Sequence, residues 1–170
     1  KILEVVKAAK DRGVPIRVGG NTGSLPEDIA ASDISASDAL VVSAERNIAV
    51  LEEAGFSDIV VSLKSSDVRT TVEAYRKIAE KYDYPLHLGI TEAGIYEDAA
   101  VKSAIGLGAL LLDGIGDTIR VSVSGDPVSE IAIGKKILAF TGLGKGGVEI
   151  VSCPTCSRCS LDIENIVKRL

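Results

Sequence analysis

With 170 residues, 46% hydrophobic and 25% charged, the chain can fill one good core and is too apolar to be disordered. Its net charge of −5 excludes bulk binding to nucleic acid or to an anionic membrane. No apolar run reaches the ~20 residues a bilayer span requires, and seventeen glycines with only four Tyr, two Phe and no Trp suit an α/β core of Val, Ile, Leu and Ala.

Residues 2–12 read as an amphipathic helix ended by Gly13, and Val14–Val18 as a short strand. That strand opens into a glycine-rich loop, Gly19-Gly20-Asn21-Thr22-Gly23-Ser24. Residues 38–54 carry Leu40, Val41, Ala44, Ile48 and Leu51 at helical spacing and close on Gly55. Asp58–Leu63 reads as a strand, apolar on both faces as parallel strands tend to be. Residues 67–81 form the next helix, with Ser66 or Asp67 as its N-cap, then come a strand at Pro85–Ile90 and a helix at 97–112. Asp117–Ser124 is the following strand, and Asp126-Pro127 starts a helix running to about Phe140. Gly147–Ser152 is the last strand, followed by a polar, helix-like tail.

Five strands bridged by helices are the grammar of a parallel sheet, either doubly wound or a (β/α)₈ barrel. Arg17 and Asn21, Lys64, His87 and Glu92, Arg120 and Ser122, and finally the cysteines all fall at strand C-termini. A doubly wound sheet concentrates its site at one switch point, whereas chemistry at five consecutive strand ends is barrel behaviour. The fold expected is therefore a parallel (β/α) TIM-barrel type, with five of eight strands, the second half of a barrel. Without any Met, and beginning and ending in helical patterns, the sequence reads as a piece of a larger protein.

All three cysteines lie in Cys153-Pro154-Thr155-Cys156-Ser157-Arg158-Cys159. An odd count and Cys-x-x-Cys spacing without secretory features favour a reducing, cytoplasmic setting over disulfides. Three thiols at that spacing in a polar segment make a poor core and a good metal site. Iron–sulfur is preferred to zinc, which would want a fourth ligand while the sole histidine, His87, is far away in sequence.

The Gly19–Ser24 loop follows a strand, so its N–H groups could cradle a phosphate, although it matches neither a Walker loop nor a dinucleotide fingerprint. Gly142–Gly147 precedes a strand and reads as a structural turn. Arg120, inside an apolar strand, requires a carboxylate such as Glu92 or an anionic ligand. Arg17, Lys64 and Arg120 converging from three strand ends favour a polyphosphate-like ligand. His87 reads as a core residue or a pocket wall, and Glu92 as a general acid/base or as the counter-ion of Arg120.

These residues resemble the 4-hydroxy-3-methylbut-2-enyl diphosphate synthase family of the non-mevalonate isoprenoid pathway. The resemblance is carried by Pro15–Leu25, Val61–Val68, Pro85–Gly94, Val101–Gly108, Asp113–Ser122 and Cys153–Arg158, in the family's order. It implies a barrel that binds 2-C-methyl-D-erythritol 2,4-cyclodiphosphate and a smaller domain that holds a [4Fe–4S] cluster. Electrons from ferredoxin or flavodoxin would then drive reductive ring opening and loss of water. It also implies that Arg17, Asn21, Lys64, Arg120 and Ser122 bind the diphosphate, that His87 lines the pocket, and that Glu92 donates a proton near the reacting carbons. Cys153 and Cys156 would be cluster ligands, with Cys159, outside the core motif, unassigned. Residues 1–152 would be the C-terminal half of a (β/α)₈ barrel and 153–170 the start of the cluster domain. The family's earlier strands, and a downstream region with a third cysteine and a glutamate, have no counterpart here. The expectation is an inactive piece of a homo-oligomeric enzyme. A non-catalytic phosphate-binding or electron-carrier module with an iron–sulfur or zinc site is the alternative; a radical-enzyme cluster would want a wider first gap and an earlier strand.

Overall fold

The ladder between the first two strands positions everything else. In a computed structural model describing residues 2–144, 150–152 and 160–169, β1 (Ile16–Asn21) pairs in parallel with β2 (Ile59–Lys64), from Ile16↔Ile59 to Asn21↔Lys64. The strand thus begins later than the apolar run predicted and continues through Gly19, Gly20 and Asn21. Tertiary pairing wins over the glycines' loop preference because they permit close approach: a Cβ on Gly19 (φ 154°) would stand 1.7 Å from the Ser62 carbonyl oxygen. A single bridge, Val61↔Leu86, joins β2 to the next strand, β3 (His87–Gly89), which pairs in parallel with β4 (Thr118–Arg120). The strands therefore lie side by side in chain order, β1-β2-β3-β4, with no reversal of direction.

The main helices are α1 (Ile2–Arg12), α3 (Ala36–Glu53), α4 (Val68–Ala79), α5 (Tyr96–Leu112) and α6 (Val128–Phe140); α3 to α6 pack in chain order beside one another. Local signals set their ends. Helix α3 stops in a Schellman arrangement: Gly55 (φ 67°) donates to Glu52 O, and Phe56 donates to Leu51 O and buries its ring. Helix α4 starts at Asp67, whose carboxylate accepts from the Thr70 N–H at 2.7 Å. A short α2 (Glu27–Ala30), unpredicted from sequence, seats the buried Ile29 after Pro26, and α7 (Ile163–Val167) lies in the polar tail.

Period-2 alternation divides the sheet's faces. Ile59, Val61, Leu63 and Leu88, each no more than 1% exposed, join Leu40, Tyr75, Ile78 and Leu107 in the main core beneath the helices. The other face carries Arg17, Gly19 and Asn21, then Ser62 and Lys64, His87 and Gly89, and Thr118 and Arg120. At the outer edge of β1, where Ile16 faces β2 by donating to Asp58 O, the alternate residue Gly19 turns its carbonyl away and accepts from the Asn47 side chain of α3 at 3.2 Å.

Two expectations need correcting. The Asp117–Ser124 strand keeps only Thr118–Arg120 in the ladder, because β3 offers just three partners and the far edge of β4 has none among the described residues. The last predicted strand has residues 150–152 in irregular backbone, and 147–149 lie outside the described residues. Four strands, not five, stand among those described.

Candidate functional site

Carried along the strands, the register aligns two rows on the face away from the helices. Asn21, Lys64, Gly89 and Arg120 form the row nearest the strand C-termini, with Gly19, Ser62, His87 and Thr118 beneath. Arg17, expected at a strand C-terminus, lies lower still, opposite Val60 near the start of β1, because β1 runs on to Asn21. The glycines keep the floor low: a Cβ on Gly89 would lie 3.1 Å from Arg120 O and 3.5 Å from Lys64 Cε. A cavity of about 400 Å³ opens over β1 and β2, lined by Arg17, Asn21, Ser24, Asn47, Ser62 and Lys64 among others.

The cations on this floor act on one another. Burial, reinforced by the charges of Arg17 and Arg120, pulls the Lys64 ammonium down to about 8. His87 is pulled down to about 4 by burial and then by Lys64, Arg17 and Arg120, so it is neutral at pH 7. Its Nδ1 lies 2.8 Å from Thr118 Oγ1, while its Nε2 is buried without a hydrogen-bond partner among the described residues. None of Arg17, Lys64 and Arg120 forms an ion pair with a described carboxylate. Five carboxylates instead pair with cations on or just beyond the helices, in Asp28–Arg46, Asp38–Lys77, Glu45–Lys81, Glu73–Arg69 and Asp113–Arg76. Three positive charges and a neutral imidazole without an anion are what an anionic ligand completes.

Arg120 departs from its predicted setting. It is exposed on a strand that has no further neighbour among the described residues, not buried, and does not pair with Glu92; solvent removes the need for a structural counter-ion. Glu92 is exposed and is the one non-glycine described with positive φ (52°). Its loop is strapped from both sides, Thr91 N–H donating to Ser65 O at 3.1 Å and Ser124 N–H to Gly94 O at 2.9 Å, while Ala93 is buried. Left-handed backbone in a glutamate costs about 1–2 kcal/mol and persists where surroundings impose it. Ser122 is half-buried, two residues past Arg120 and beyond the ladder.

Several participants were not anticipated. Thr118 orients His87, and period-2 alternation from Arg120 would have placed it on this face. Buried Ser65 ties the strand ends together: its hydroxyl meets Thr22 Oγ1 at 3.4 Å and the Asp67 N–H at 3.1 Å, and its carbonyl takes the Thr91 N–H. Tyr75, 0% exposed, sends its hydroxyl from α4 to the strands, and nothing in helical periodicity announces that. Cys153, Cys156 and Cys159 lie outside the described residues; among those described, no cluster of three His, Cys, Asp or Glu could hold a metal ion.

Residues 1–135 match the family described as the GcpE TIM-barrel domain. The chain belongs to that family. The GcpE-family chain is 54% identical over its whole length to the 4-hydroxy-3-methylbut-2-en-1-yl diphosphate synthase (flavodoxin) of Thermodesulfovibrio yellowstonii, covering 49% of that protein. It is 55% identical over 95% of its length to the like-named protein of Caldanaerobacter subterraneus, covering 46% of it, and 52% identical over its whole length to that of Clostridium perfringens, covering 49%. The chain thus spans about half the length of the curated relatives it matches. Membership settles the winding as TIM-barrel type, in keeping with strands laid down in chain order. No helix among the described residues is long and apolar enough to cross a membrane.

Proposed function

We propose that this chain supplies the diphosphate-binding half of a cytoplasmic iron–sulfur enzyme that opens 2-C-methyl-D-erythritol 2,4-cyclodiphosphate to 4-hydroxy-3-methylbut-2-enyl diphosphate. The observation that carries the reading is the inner sheet face on which Arg17, Lys64, His87 and Arg120 meet no carboxylate among the described residues, in a GcpE-family chain. Residues 1–152 are read as the second half of a (β/α)₈ barrel and 153–170 as the opening of a cluster domain. Flavodoxin, which the relatives' names carry, is the proposed electron donor, ferredoxin being its chemical equivalent; the working enzyme is read as a homo-oligomer.

Arg17, Lys64 and Arg120 would neutralise the diphosphate as charge grows on its oxygens, with Asn21 and Ser122 as neutral donors. His87, kept neutral and oriented by Thr118, would offer Nε2 without adding another cation. Glu92 would donate the proton with which the departing hydroxyl leaves as water. Cys153 and Cys156, thiolates suited to soft metals, would hold a [4Fe–4S] cluster, with Cys159 as the candidate further ligand. Such a cluster, when bound, supplies electrons singly beside the substrate.

Calorimetry with the cyclic diphosphate tests the site: saturable binding lost on Lys64→Ala is expected, and binding unchanged by that substitution would overturn it. With a reducing system the 170-residue chain should form no product, and turnover would refute the half-enzyme reading. Anaerobic reconstitution with iron and sulfide, on wild type and on Cys159→Ala, then assigns the third thiol.

A further inference from the structure

The floor of the site is built from two separate ladders, β1-β2 and β3-β4, and the seam between them runs beside Lys64 and His87. At the lower end the seam is ordinary: Val61 N–H donates to Pro85 O at 2.8 Å, and Val61 bridges Leu86. Two residues on, parallel geometry would have the Leu63 N–H donate to the His87 carbonyl. It does not. The Tyr75 hydroxyl accepts from Leu63 N–H at 2.9 Å and donates to His87 O at 2.5 Å. Two hydrogen bonds in series thus span what one of about 2.9 Å spans in an unbroken ladder.

We infer that Tyr75 is a positioning residue: its hydroxyl, inserted between β2 and β3, holds the Asn21–Lys64 half of the floor at a fixed distance from the His87–Arg120 half. The ring is fully buried on α4 amid the main core, and burial pushes the phenol upward, so it stays a neutral donor and acceptor. Both strand groups it satisfies flank the working side chains: Leu63 precedes Lys64, and the carbonyl is that of His87 itself. A phenylalanine would keep the packing and remove the spacer. The strands would then close to ladder spacing, or leave a buried N–H and C=O unpaired. The functional consequence rests on the anion-site reading above; the spacing itself does not.

The test compares Tyr75→Phe with Val72→Ala, a truncation in the same buried face of α4, in the full chain. Each variant is read for thermal stability, for the affinity of inorganic pyrophosphate, and for the ring signals of His87, which as the only histidine needs no assignment. Tyr75→Phe should weaken pyrophosphate about tenfold and displace the His87 signals. Val72→Ala should lower stability while leaving both nearly in place. Equal effects of the two variants on affinity and on the His87 signals would overturn the inference. Should Tyr75→Phe not fold, 3-fluorotyrosine labelling, which alters only the hydroxyls' donor strength and the ring edge, takes its place: a displaced Leu63 amide with changed pyrophosphate affinity supports the spacer, and an unmoved Leu63 amide refutes it. If the wild-type chain fails to bind pyrophosphate, the anion-site reading falls, and the His87 signals alone decide the spacing.

Discussion

The outer and inner faces of this molecule handle charge in opposite ways. On and just beyond the helices, Arg46, Arg69, Arg76, Lys77 and Lys81 each meet a carboxylate within 2.9 Å, in pairs half-open to water. On the sheet's inner face, Arg17, Lys64 and Arg120 gather around a neutral histidine and meet none among the described residues. Exposed pairs of the first kind contribute about 0–1 kcal/mol each and make the surface locally neutral. The second arrangement works against the folded chain until something anionic arrives. Paired charge is ordinary surface; unpaired cations on the sheet's inner face mark the proposed site.

The sharpest way to break the contrast is to give the inner face a carboxylate. Asn21→Asp is nearly isosteric and keeps the acceptor that takes the Gly23 N–H at 3.0 Å, yet it sets a negative charge beside Lys64. Pyrophosphate affinity should fall about 100-fold, roughly 2.7 kcal/mol, with little change in melting temperature. Removing an exposed contributor does less: Arg120→Ala should cost about tenfold in affinity and flatten its dependence on salt.

pH sharpens the comparison without mutation. In the unliganded chain Lys64 loses its proton above about 8, whereas a bound anion holds it charged, so binding takes up a proton there. Affinity should fall as pH rises past 8, by up to about tenfold per unit, and Lys64→Gln should abolish the trend. From pH 8 to 10.5 the unfolded lysine keeps a proton that the folded one has lost, so this group makes the unliganded chain more stable as pH rises. For His87 the window is pH 6.5 to about 4, where only the unfolded chain protonates; stability should fall on acidification through it, and His87→Gln should remove that part of the loss. The smallest effect belongs to the outer face: Lys77→Ala should change stability by no more than about 1 kcal/mol and leave pyrophosphate affinity alone, as thermal melts and calorimetry would register.

What could be read beforehand follows from how local each signal is. Helices α3 and α4 were legible because Gly55 and Asp67 end and begin them through contacts within a few residues. Lys64 and Arg120 were legible as strand ends too, since a cation beside an apolar run stands out in any sequence, whereas Arg17 was not, because β1 runs four residues past it. The extent of β1 was not: Gly19 and Gly20 look like a loop until Ser62 and Leu63 are placed beside them. Nor was the Thr118–His87 contact or the Tyr75 relay, where the partners lie 31 and 12 residues apart. Arg120 misled for the same reason, its burial depending on whether another strand flanks β4.

The Asn47 side chain on the carbonyl of Gly19 has a consequence for assembly. It makes the edge of β1 away from β2 a guarded one, since any strand arriving there must first displace an intramolecular hydrogen bond worth about 1 kcal/mol. A brief, one-bond encounter cannot repay that, whereas a segment pairing along the whole of Ile16–Asn21 does so several times over. The guard thus discriminates by length, admitting a strand that completes the sheet and turning away casual edge-to-edge association.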